Sequence, residues 1–122
     1  MLFRSVSQSR YDASSNIATY SGVSIGVASK DRIVVVAVSS ELASSTPSAC
    51  TIDYGSGDTA MTAGTGGNFG AVYTQLYYLK VPTGTTATIK VTFSATNPTG
   101  TQNHIAVYKY EDYDEKFDSD NF

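Results

Sequence analysis

The stretch YYLKVPTGTTATIKVTFSAT, residues 77–96, decides how the rest of the chain is read. From Thr88 onward Ile89, Val91 and Phe93 alternate with Thr88, Lys90 and Thr92, the period of two that gives a strand one dry and one wet face. Pro82-Thr83-Gly84 separates this run from a tyrosine-rich one. Proline presets φ for a turn and glycine is free to take φ > 0, so the unit reads as a β-hairpin, with Phe93 in the core.

The same grammar extends in both directions. In VSIGVASKDRIVVVAVSS, residues 23–40, Val23, Ile25 and Val27 alternate with small residues, and Ser29-Lys30-Asp31 turns the chain into the run 33–38. A run apolar on both faces is a central strand covered on each side, which puts Val35 in the core as well. No segment has the i, i+3, i+4, i+7 spacing of an amphipathic helix, and without crossover helices a parallel sheet cannot be built. Strands are predicted over residues 3–9, 18–28, 32–39, 49–54, 59–63, 71–81, 86–95 and 103–110. The fold class that follows is all-β: a single antiparallel β-sandwich, Ig-like or jelly-roll-like, of seven or eight strands. It occupies residues 1–110, and residues 111–122 form an acidic C-terminal arm.

A chain of 122 residues suits one domain with its own core. The lone Cys50 cannot form an intramolecular disulfide and reads as a buried, inert thiol. The first residues lack the basic start and apolar run of a signal peptide, and no segment approaches the roughly 18 apolar residues of a membrane span. The expectation is synthesis in a host cytoplasm and no membrane partner.

The net charge of −3 hides an asymmetry. Residues 1–110 carry seven basic groups against five acids, whereas EDYDEKFDSDNF, residues 111–122, carries six acids and Lys116. Scattered basic residues without a basic run exclude a nucleic-acid footprint.

The order DRIVVVAVSS (31–40), TIDYGSGDTAMTAG (51–64), YYLKVPTGTTATIKVTFS (77–94) and HIAVYKY (104–110) resembles small β-sandwich domains common in tailed-bacteriophage virion proteins. The resemblance covers residues 18–110. The chain departs from it at DYGSGDTAMTAGTGGNFG, residues 53–70, and in the arm from Glu111. It implies a location in the virion, with capsid or tail subunits as partners and a homo-oligomer or symmetric array as the assembly.

Residues suited to catalysis are few. A dyad of Cys50 with His104 is formally open, but nothing local activates either group. GTGGNFG, residues 64–70, lacks the Lys-(Ser/Thr) of a phosphate-binding loop and reads as a flexible hairpin connection. YGSGD, residues 54–58, reads as a glycine-rich turn rather than a nucleophile elbow. The carboxylates of the arm have neither the glycine nor the closing glutamate of a calcium loop. No catalytic residue, metal ligand or cofactor is expected.

Partner binding is expected instead. Tyr113, Phe117 and Phe122, with Asp114 and Asp118 between them, read as aromatic anchors in an acidic strip docking on an adjacent subunit. Among the tyrosines of the sheets, Tyr73 and Tyr77 are the candidate contact residues, since tyrosine combines apolar area with a hydroxyl that can stay wet. The function expected is a virion structural protein, capsid-decorating or head-associated. The alternative is a tail-fibre or adhesin-like module binding cell-surface glycan.

Overall fold

The computed structural model describes residues 2–11, 16–40, 45–69, 72–96 and 103–111. In chain order these contain β1 (Leu2–Tyr11), β2 (Ile17–Ser24), β3 (Arg32–Ser40), β4 (Pro47–Asp53), β5 (Thr59–Ala60), β6 (Thr62–Phe69), β7 (Val72–Lys80), β8 (Thr86–Phe93) and β9 (Asn103–Glu111). The strands form a five-stranded sheet in the order β1-β9-β3-β7-β6 and a four-stranded sheet in the order β2-β8-β4-β5. All pairings are antiparallel. The protein is an all-β sandwich.

With β6 set aside, every connection changes sheet except that from β4 to β5. The orders β1-β9-β3-β7 and β2-β8-β4-β5 are those of a jelly roll, two interlocked Greek keys. Among the described residues the strands number nine rather than seven or eight, because the glycine-rich segment expected as a connection is mostly strand β6.

A second expectation fails more instructively. Residues 77–93 are not a hairpin: β7 lies in the five-stranded sheet and β8 in the four-stranded one, so Pro82-Thr83-Gly84 carries the chain across the sandwich. The turn chemistry holds, since Gly84 adopts φ 85°. A short turn can fold a strand back beside its predecessor or lift it onto the facing sheet about 10 Å away, and turn residues alone do not choose between these.

The choice is held by Arg32, whose side chain has no exposed surface. Its Nε donates to the carbonyl of Val81 at 2.8 Å, Nη1 to those of Ile25 and Gly26 at 3.3 and 3.0 Å, and Nη2 to those of Thr83 and Gly84, each at 2.9 Å. One guanidinium thereby ties the β2–β3 crossover to the β7–β8 crossover. Backbone bonds from Ile25 N to Thr85 O and from Val81 N to Arg32 O close the same corner. Burial pushes the Arg32 pKa below its ordinary value, and the nearby Glu111 carboxylate opposes that shift.

The main core lies between the sheets. Ala87, Ile89, Val91 and Phe93 of β8 face Val34, Val36 and Val38 of β3, with Ile105 and Val107 of β9 and Ile52 of β4 closing the layer. Phe93 is therefore core, as the alternation predicts. β3 is central in its sheet and is buried on both faces. Its other face builds the second cluster described below. β9 runs through Glu111, which is buried and bonded to Lys109 Nζ at 2.9 Å, so the sheet takes in the first acid assigned to the arm.

Candidate functional site

The outer face of the five-stranded sheet is assembled by register. Val35 of β3 lies between Tyr78 of β7 and Tyr108 of β9, Ile33 between Lys80 and Tyr110, and Ala37 between Leu76 and Ala106. These rows place three tyrosines around an aliphatic ridge. Ile33, Val35 and Tyr110 are buried within a cluster to which Leu76, Tyr78 and Tyr108 contribute half-buried side chains. Aromatic and β-branched residues as direct cross-strand neighbours are a stabilising combination. The half-buried rings leave amphipathic area at the surface, which suits a protein or sugar partner.

The opposite outer face differs. β8 turns Thr88, Lys90 and Thr92 outward, and Lys90 Nζ meets Asp58 at 2.9 Å with both side chains substantially exposed. A pair this wet contributes little. One outer face is thus tyrosine and aliphatic, and the other is threonine with an exposed ion pair.

Of the two tyrosines of β7 that the sequence singles out, one does not reach the surface. Tyr77 is 2 % exposed and belongs to the inner core, so it is corrected from contact residue to core residue. Tyr73, four positions away and on the same side of the strand, is half-buried and close enough to Tyr77 to influence its ionisation. Tyr78, Tyr108 and Tyr110 occupy the outer face. The signal was available in β9, where Tyr108 and Tyr110 stand two apart and must share a face. In β7 the adjacent pair Tyr77-Tyr78 is ambiguous until the strand's inner side is known. Tyr113, Phe117, Phe122, Asp114 and Asp118 lie outside the described residues.

The formal Cys50–His104 dyad is not assembled. Cys50 is buried in β4 on the inner face, beside Met61 with Sγ to Sδ at 3.7 Å, whereas His104 is exposed on the outer side of β9. Burial pushes the Cys50 thiol up to about 12. Tyr77 is likewise pushed up to about 12, by burial first and then by the charges that Cys50 and Tyr73 would carry if ionised. Both stay protonated near neutrality. Among the described residues no group of three His, Cys, Asp or Glu side chains is placed to hold a metal ion.

β6 carries a feature the sequence does not announce. Gln75 of β7 donates through Nε2 to the carbonyls of Gly64 and Thr65 at 2.9 and 3.4 Å, filling the bulge between Ala63 and Gly66. A Cβ on Gly66 would collide with the Gln75 side chain and lie 3.1 Å from the Thr74 carbonyl oxygen. Gly66 is therefore glycine because Gln75 lies across it.

Comparison with known proteins returns no match to a family model, to a curated protein or to a solved structure.

Proposed function

We propose that the protein is a structural component of a bacteriophage virion, capsid-decorating or head-associated, that works by binding neighbouring subunits. The observation that carries this reading is the outer face of the five-stranded sheet, where the half-buried Tyr78, Tyr108 and Leu76 pack on the buried Ile33, Val35 and Tyr110. That arrangement has the aromatic enrichment of a protein interface. The jelly-roll connectivity supports it by analogy of fold, since viral capsid domains use it. The sequence resemblance supplies the phage assignment.

The test is incorporation. Density-gradient-purified particles should contain the protein at a fixed ratio to the major shell subunit. Tyr108→Asp, with an unchanged circular dichroism spectrum, should remain in the soluble fraction. Full incorporation of that variant, or absence of the wild type from particles, overturns the reading. Lectin domains also use the jelly roll. Saturable binding of a host-surface polysaccharide, lost in the same variant, would select the tail-fibre or adhesin-like alternative.

A further inference from the structure

Each sheet of the sandwich has two edges, and three of the four carry devices that discourage pairing with another strand. β1 has a bulge between Ser5 and Ser7 and the exposed Arg4. β2 is bulged between Tyr20 and Val23, with Gly22 at φ 63°. β5 has only two residues. The fourth edge, β6, is different. Its sequence TAGTGGNF contains no charged residue and no proline, and beyond the bulge residues Gly66 to Phe69 pair regularly with β7. Thr62, Ala63, Thr65 and Gly66 are exposed, and among the described residues no strand pairs with the outer side of β6.

Gly67 makes this edge informative. Its φ is not among the positive ones, and a Cβ added there would meet nothing within 4 Å. Unlike Gly66, it is not required by any neighbour among the described residues. Glycine weakens a strand interior, and beside the bulge that Gly66 serves, a strand glycine marks a place where another backbone or a ligand can approach closely.

We propose that the outer edge of β6, over Gly66 to Phe69, pairs antiparallel with the same edge of a second copy about a two-fold axis, so that two five-stranded sheets become continuous. The occupant is a second copy because the edge is neutral. Like charges placed opposite one another across a two-fold destabilise the pair, and β6 has none, whereas a self-paired β1 would bring Arg4 and Arg10 near their own images. The Gln75 bonds mark the limit of the site, since they already engage the carbonyls of Gly64 and Thr65. A ladder this short is weak on its own, in the class of small transient contacts. Repetition in an array would multiply it. The inference goes beyond the virion reading and fails separately from it, because self-pairing is measured on the isolated protein.

Sedimentation velocity of the wild type over roughly 1 to 300 µM should show a dimer growing with concentration. The dimer should persist at about 0.5 M sodium chloride, because backbone bonds between uncharged edges are not screened. Gly67→Lys, whose Cβ meets nothing within 4 Å, should stay monomeric throughout with a melting temperature no lower than wild type. Asn68→Lys, which sets a charge within the same ladder, is the second variant should the first fail to fold. A monomeric wild type, a dimer dispersed by salt, or folded variants that dimerise like the wild type would each overturn the proposal.

Discussion

Replacing Arg32 by methionine removes the clasp between the two crossovers while keeping a long apolar stem. Five carbonyls lose a charged donor. The bonds to Val81 and Ile25 are buried, so those two oxygens stay dry, at a cost of about 1 to 3 kcal/mol each. The bonds to Gly26, Thr83 and Gly84 are partly buried, and water can replace the guanidinium there at small cost. Against the loss stands the recovered desolvation of a buried cation, which makes many buried ion pairs replaceable by hydrophobic residues without penalty. That compensation applies when both partners leave together. Here the partners are main-chain carbonyls, which remain. The net expectation is a destabilisation of about 2 to 5 kcal/mol, the cost of two dry carbonyls less part of the recovered desolvation. It should be read from urea unfolding as a lower midpoint at constant m. Arg32→Lys should recover part of the loss, because three donors on a flexible stem cannot cover five carbonyls. A loss under about 1 kcal/mol for Arg32→Met, or a gain, would show that the cost of burying the cation exceeds the worth of its bonds, and the account of this corner would be wrong.

Other expectations rest on independent parts of the molecule. Phe93→Ala should cost about 3 to 5 kcal/mol in the same assay, the usual penalty for emptying a buried aromatic site, and a loss below about 1 kcal/mol would reverse the face assignment of β8. Stability should hold through neutral pH and fall at alkaline pH. Cys50 and Tyr77 are raised from 9.0 and 10.0 to about 12 in the fold, so the unfolded chain ionises first and gains stability between those values. Cys50→Ala should move the onset of that loss from about pH 9 toward about 10, read from unfolding midpoints across the range. Gly66→Ala should destabilise by roughly 1 to 3 kcal/mol by displacing Gln75 from its carbonyl partners, while Gly67→Ala should not lower the melting temperature. Equal effects at the two glycines would refute the steric distinction between them.

The alternation of β8, the two-sided apolar run of β3 and the missing helical period made an antiparallel sandwich legible in the sequence, because side-chain period is a local property of the backbone. The tyrosine pair of β9 was legible on the same ground. Which strands pair was not. Pro82-Thr83-Gly84 specifies a turn but not whether the next strand joins the same sheet, and that choice rests on Arg32, whose partners lie 6, 7, 49, 51 and 52 positions away in the chain. The glycines of β6 look alike in sequence and differ in space. Gly66 answers to Gln75, a residue brought beside it by the β6–β7 pairing, and Gly67 answers to nothing in the described fold. Likewise Tyr77 and Tyr78 are neighbours of one kind until the sandwich sends the first into the core and the second onto the outer face. Period and turn chemistry act over a few residues and are written in the chain. Pairing, face and clasp are long-range contacts, and only the packed sheets determine them.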